Sequence, residues 1–273
     1  MTSVRRALHR LLSDPSEYPF HGEAVVREVS RVGANFIRLT LHSKDFDRYQ
    51  DPAPGDAMKL HLAPGEHRVY TVRRFMRSES IVLVDILDHG DGLGVRWAVA
   101  VRPGDTVAFT GRRPEFLPSD DVDGYLFLAD SAAVPAIAAI FESLGETDSV
   151  TAVLKTPAYE DRALVRVCPR WDVEWLAAGD SLVDAARLLS PTPARLQGWI
   201  GTETVTAHQL RELMLDRYMH IDDLKAGVYW SSEETWTESY NRSVERFLRL
   251  KAEGQDMTDP NVLEKLTFDD RHS

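Results

Sequence analysis

The chain has 273 residues, 43% of them hydrophobic and 27% charged, with a formal net charge of −11. That composition describes a globular chain long enough for one large or two ordinary domains, and it excludes a disordered or low-complexity protein. The acidic balance argues against nucleic acid as partner, and the single cysteine, Cys168, excludes an internal disulfide, a cysteine-rich zinc site and a plant-type iron–sulfur cluster.

Redox chemistry in such a chain has to come from a bound organic cofactor. The opening MTSVRRALHRLLSDPSEYPF has too short an apolar core for a secretory signal, and no run approaches 18 apolar residues. The expectation is a cytoplasmic protein without membrane insertion.

Six short runs rich in β-branched residues come first: AVVREVSRV, FIRLTLH, MKLHL, RVYTVRRF, SIVLVDILD and DTVAFTG, separated by turn signals such as PAPGD and RPGD. They predict a small six-stranded antiparallel barrel. After RRPEFLPSDDVDG the pattern changes. YLFLAD is a continuous apolar run, AAVPAIAAIFESL has helical spacing and SVTAVLK is again a buried-type strand, which together make a βαβ unit and a parallel sheet. SLVDAARLLS, LQGWIG, VTAHQLRELMLDRY and AGVYW continue the alternation. The fold class is therefore β followed by α/β, with the boundary near Pro118: a barrel domain over 1–118 and an α/β domain over 119–273. The end, TWTESYNRSVERFLRLKAEGQDMTDPNVLEKLTFDD, reads as one helix followed by a polar tail. In it Trp236 and Tyr240 are four apart and share a helix face. The expected packing is onto their own α/β half, with a cover over a bound ring or a dimer contact as the alternatives.

Two stretches carry candidate chemistry. In HRVYTVRRF, Arg68 and Tyr70 fall on one face of a strand and Thr71 on the other. A cation, an aromatic plate and a hydroxyl are what a flat, electron-poor flavin with a charged pyrophosphate needs. An exposed arginine beside an aromatic on an edge strand is the plain alternative. In VDILDHGDGLGVRWA, a strand ends at His89, a turn runs through Gly90, Gly92 and Gly94, and an apolar segment from Val95 reads as a helix start. Free N–H groups there form an anion site, unless the glycines serve only the turn. The nine histidines show no close metal-ligand spacing, and His208 and His220 read as surface or packing residues.

Taken in order, RVYTVRRF, then VDILDHGDGLGVRWA with RPGDTVAFTGRRPEF, then YLFLADSAAVPAIAAIFESL, the chain resembles the siderophore-interacting proteins over most of residues 20–230. These are FAD-containing ferric-siderophore reductases of the ferredoxin-reductase superfamily. The resemblance implies an N-terminal barrel that holds FAD and a C-terminal α/β domain that receives NADPH or NADH. It implies that Arg68 binds pyrophosphate, that Tyr70 stacks on the isoalloxazine and that Thr71, the one catalytic candidate, contacts N5. Gly92, Leu93, Gly94 and Val95 would hold the phosphates through their backbone. Val69, Arg73, Asp85, His89 and Trp97 complete the implied cofactor set, and Lys59, Tyr229 and Trp230 the implied substrate set, with no metal ligand. The implied reaction passes hydride from nicotinamide to flavin and electrons from flavin to the iron of a ferric siderophore, releasing Fe(II).

The chain departs from the family pattern at three places. Gly92-Leu93-Gly94-Val95 stands where the family writes Gly-Pro-Ala-Ser, which removes a hydroxyl contact to phosphate of about 1.5–3 kcal/mol. Ala132 replaces an acidic residue in the nicotinamide turn, while Glu203 is kept in Gly201-Thr202-Glu203. After Tyr229 and Trp230 the usual basic residue is absent and Ser231, Ser232 and Glu233 follow, with Arg112 and Arg113 as the nearest substitutes. A flavin reductase serving another small molecule or a partner redox protein, and a binding module without catalysis, are the other readings. Both a monomer and a dimer fit the sequence.

Overall fold

The computed structural model describes residues 20–49, 52–190, 194–257 and 259–268. The opening stretch, on which the secretory-signal reading rests, and the last residues of the tail lie outside these.

The first half is one antiparallel sheet: β1 (His21–Val32), β2 (Phe36–His42), β3 (Ala57–Ala63), β4 (Glu66–Thr71), β5 (Arg74–Met76), β6 (Ile81–Leu87) and β7 (Thr106–Arg113), in the order β4-β3-β7-β1-β2-β6-β5. The count is seven rather than six because RVYTVRRF does not run as one strand. β4 pairs with β3 and β5 with β6. Between them Val72 N–H donates to Asp56 O at 2.6 Å and Arg73 N–H to Leu83 O at 2.9 Å. β4 and β5 are the two edges of the sheet order, so one continuous segment joins both edges and curls the sheet on itself. Alternation fills the interior: Ile37, Leu39 and Leu41 point inward from β2 and meet Val26, Phe46, Met58, Leu60, Val82, Val84 and Phe109. Helix α1 (Leu93–Ala100) follows β6 and buries Val95 and Ala98.

The second sheet is parallel throughout: β8 (Gly124–Asp130), β9 (Val150–Lys155), β10 (Asp172–Leu176), β11 (Leu196–Glu203) and β12 (Leu224–Trp230), in the order β10-β9-β8-β11-β12. The connecting helices include α2 (Val134–Ser143), α3 (Tyr159–Arg162), α4 (Leu182–Leu188) and α5 (Thr204–Arg217). β10 went unread in the sequence because DVEWL is a short edge strand with exposed alternate residues. The strand order turns back at β8, with β9 on one side and β11 on the other. That places a crevice at the carboxyl ends of β8 and β11, where open α/β sheets receive ligands.

Side chains tie the two sheets together. Asp161 on α3 captures the β1–β2 hairpin, accepting from Ala34 N–H at 2.7 Å, Asn35 N–H at 3.1 Å and Asn35 Nδ2 at 2.8 Å. Gly33 in that hairpin has φ of 61°, and a Cβ there would meet Asp161 Oδ1 at 2.4 Å, so both conformation and space require glycine. Trp199 on β11 donates its indole N–H to Glu115 O at 3.2 Å.

The tail carries a second helix. α6 (Trp236–Ala252) begins with a capping box between Thr235 and Glu238, and α7 (Pro260–Thr267) is held to α5 by Arg211 and Glu264, 2.6 Å apart. The aromatic face of α6 packs on the first sheet, not on its own half as expected. Trp236 and Tyr240 stack at 5.0 Å and 10°, and both rings meet His67 of β4 edge-on at 4.6 Å.

Candidate functional site

β4 is the edge of the first sheet nearest α1, and its alternation sends Arg68 and Tyr70 one way and Thr71 the other. Tyr70 packs against the barrel core with its hydroxyl over the first turn of α1. A Cβ on Gly94 would stand 2.2 Å from Tyr70 Oη and 3.8 Å from Arg68 Cγ. The phenol, the guanidinium stem and the helix start therefore converge on one spot that only glycine leaves open. Burial pushes the Tyr70 phenol well above its usual range, while the Arg68 charge pulls it back in part, so the ring is neutral.

The first turn of α1 has no side-chain cap. Its N-cap, Gly92, has φ of 119°, and His89 flanks it, since a Cβ there would lie 3.1 Å from the imidazole Cε1. The uncapped N–H groups of the first turn and the positive end of the helix dipole, facing Arg68, form a cradle of the kind that holds phosphate. Val95 is buried, so this position offers its backbone rather than its side chain. Trp97, one turn on from Gly94, is half-buried against the barrel core. The residues present fit a flavin dinucleotide: cation and N–H groups for its pyrophosphate, an aromatic face for its ring, and a hydroxyl beyond.

That hydroxyl, Thr71, is buried and hydrogen-bonded to the Tyr229 hydroxyl of β12. The bond brings a residue of the second sheet to the strand face of the first. Burial lifts the Tyr229 phenol far above its usual range, with Glu115 adding to the shift. Its neighbour Trp230 faces the crevice, donating its indole N–H to Asp130 Oδ2 at 2.8 Å. The same oxygen accepts from Thr202 Oγ1 at 2.7 Å and Glu203 N–H at 3.1 Å. Desolvation raises the Asp130 carboxyl above the ordinary aspartate range, against the pull of those donors. Glu203 caps α5 through Thr206 N–H at 3.0 Å.

Two expected cofactor ligands are engaged elsewhere. Arg73 is buried and pairs with Glu142 of α2, because the crossover from β4 to β5 turns it toward the second half. Asp85 accepts from Nε and Nη2 of Arg38, its direct cross-strand partner, each at 2.7 Å inside the β2–β6 pair. Val69 faces Lys59 across the β3–β4 ladder. Lys59 sits beneath Tyr240, with Nζ 5.0 Å from the ring centroid. Arg112 donates to buried Asp56 at 2.9 Å, and Arg113 pairs with buried Glu115.

Sequence reasoning named Trp236 as a possible ring cover but did not place it against Arg68, whose guanidinium carbon lies 4.9 Å from the indole ring. The capping box at Thr235 was the available signal for where α6 starts, but nothing local told which sheet its face would meet. Asp130 was missed, being the last polar residue of an apolar strand. Among the described residues no group of three His, Cys, Asp or Glu is placed to hold a metal ion, and no helix is long and apolar enough to cross a membrane.

A family model described as a siderophore-interacting FAD-binding domain matches residues 64–115, and one described as siderophore-interacting protein matches residues 122–233. The ferric vibriobactin reductase ViuB of Vibrio cholerae is 22% identical over 241 residues, covering 76% of this chain and 89% of that one. The mycobactin import ATP-binding/permease protein IrtA of Mycolicibacterium smegmatis is 25% identical over 169 residues, or 60% of this chain, which spans only 20% of that relative's length. The structure of the siderophore-interacting protein from Acinetobacter baumannii shares the fold with a TM-score of 0.77 at 19% identity, covering 85% of this chain and 99% of that one.

Proposed function

The chain belongs to the siderophore-interacting protein family and carries its FAD-binding domain, and from that premise we propose that it is an NAD(P)H-dependent flavoprotein reductase of ferric siderophores. In this reading residues 1–118 bind FAD, residues 119–273 receive NADPH or NADH, and the protein works in the cytoplasm. The observation that carries it is the convergence of Arg68, Tyr70 and the uncapped turn at Gly94, inside the segment matched by the FAD-binding model.

The residues divide the work as follows. Arg68 offsets the pyrophosphate charge and the α1 N–H groups bind its oxygens. Tyr70 supports one face of the isoalloxazine. Thr71, oriented by Tyr229, offers its hydroxyl at N5. The crevice bounded by Asp130, Thr202 and Trp230 takes the uncharged dihydronicotinamide ring, with Trp230 positioned to screen it from water. FAD held by these residues would supply the exchange between two-electron hydride chemistry and one-electron transfer, so that each hydride would serve two Fe(III) centres. No protein nucleophile enters, and the protein supplies orientation and electrostatics.

Titration of the flavin-free chain with FAD and with FMN tests the cradle. FAD is expected to bind at least tenfold more tightly, because FMN lacks the pyrophosphate, and Arg68→Ala is expected to remove most of that advantage. Equal affinity for FAD and FMN, or an Arg68→Ala chain that still prefers FAD by the full margin, would overturn the assignment.

A further inference from the structure

The neighbourhood of Thr71 is rich in cations, and each of them already has a partner. Ala57 pairs with Thr71 on one side and with Arg113 on the other. Arg113 bonds to Glu115, whose second oxygen lies 3.8 Å from Lys225 Nζ, so one buried carboxylate serves two cations. Arg112 is locked to Asp56, both side chains buried. Lys59 is roofed by the Tyr240 ring and its hydroxyl at 3.5 Å. Arg68 lies between Glu66 and Trp236, and a bound pyrophosphate would bring two further negative charges to it.

The carboxylates on the other side of Tyr229 have no such match. Asp130 and Glu203 are held by hydroxyl, indole and backbone donors, and among the described residues no cation bonds to either. The chain then leaves β12 through Ser231, Ser232, Glu233 and Glu234, of which only Glu234 has an arginine partner, Arg242. An anionic acceptor arriving beside Thr71 therefore has to draw a cation away from its partner or approach against these carboxylates. A neutral or cationic acceptor does neither.

We propose that the acceptor is an electrically neutral or cationic ferric chelate, of the trishydroxamate kind, and not an anionic triscatecholate or polycarboxylate. Three hydroxamates lose one proton each and cancel the charge of Fe(III), whereas three catecholates lose two each and leave a trianion. The inference rests on the reading above, in which the acceptor is a ferric chelate reduced beside Thr71.

A set of chelates that differ only in a remote charge tests it. One linear trishydroxamate with a terminal amine, its acetylated form and its succinylated form give cationic, neutral and anionic complexes around the same iron centre. Their gallium(III) complexes, which are not reduced, report binding by equilibrium dialysis against the flavin-loaded protein, and their iron(III) complexes report kcat/KM by trapping Fe(II). Both affinity and kcat/KM are expected to fall about two- to fivefold per unit of added negative charge at low ionic strength, and the spread is expected to shrink in high salt. Ser231→Lys, which restores a cation at the exit from β12, is expected to flatten the order. An anionic chelate bound and reduced as well as the cationic one would overturn the proposal. A flavin that bleaches with nicotinamide while all three chelates are neither bound nor reduced would instead overturn the ferric-chelate reading on which it rests.

Discussion

Replacing Gly94 by alanine isolates the cradle from the rest of the fold. The added Cβ would stand 2.2 Å from Tyr70 Oη, while the next atoms, Tyr70 Cζ and Arg68 Cγ, lie at 3.5 and 3.8 Å. A comfortable contact needs roughly 3.4 Å, so the hydroxyl must retreat by about 1 Å. In the flavin-free chain the partly buried ring can yield, and alanine adds about 1 kcal/mol of helix propensity. With a flavin packed against Tyr70 the ring is fixed, and the overpacking of about 1–3 kcal/mol falls on binding. Gly94→Ala is therefore expected to weaken FAD by about five- to 150-fold, measured by calorimetric titration, with little change in the thermal midpoint of the flavin-free protein. Tyr70→Phe removes the only clashing atom, so the double variant is expected to bind FAD about as well as Tyr70→Phe alone. Undiminished affinity in Gly94→Ala, or no rescue by Tyr70→Phe, would refute the reasoning.

Other expectations follow from the same contacts. Asp85→Asn breaks the buried pair with Arg38, which is itself one-quarter exposed. It is expected to lower unfolding free energy by about 2–4 kcal/mol in urea titration while leaving FAD affinity of the folded protein within twofold. Tyr229→Phe strips Thr71 of its partner. Stopped-flow hydride transfer is expected to slow with FAD affinity unchanged, and no alkaline limb from this phenol should appear in the wild type, because burial holds it neutral. Asp130 gives a pH signature. Its carboxyl is raised by desolvation, so its contribution to stability is fully present below the unfolded value of about 3.9 and is lost as pH rises through the folded value. Asp130→Asn is expected to flatten that loss in urea unfolding followed from acid to neutral pH. A slope unchanged by the substitution would contradict the assignment.

Much of this fold was legible in local pattern. The β-branched runs and turn signals located the strands of the first sheet, and the switch from alternating to continuous apolar runs located the parallel one. The glycine turn and RVYT pointed to the same place, and the structure brings Arg68, Tyr70 and Gly94 together. What local pattern could not give was pairing at a distance. That RVYTVRRF changes partner strand at Val72, from β3 to β6, depends on the curl of the whole sheet. Arg73 carries the right charge for a phosphate site and Asp85 was expected to touch the cofactor, yet Glu142 and Arg38, 69 and 47 residues away in sequence, claim them. The amphipathic face of α6 was visible at Trp236 and Tyr240, but its choice of the first sheet follows from His67, Arg68 and Lys59, which present two cations and an imidazole to aromatic rings.

The visible spectrum of the purified protein tests the central claim most directly. The FAD-loaded chain is expected to show the oxidised flavin bands, to lose them on anaerobic addition of NADPH or NADH, and to regain them when a ferric trishydroxamate is added, with Fe(II) appearing at two per flavin. A protein that takes up no flavin on incubation with FAD, or a bound flavin that no nicotinamide bleaches, would contradict it.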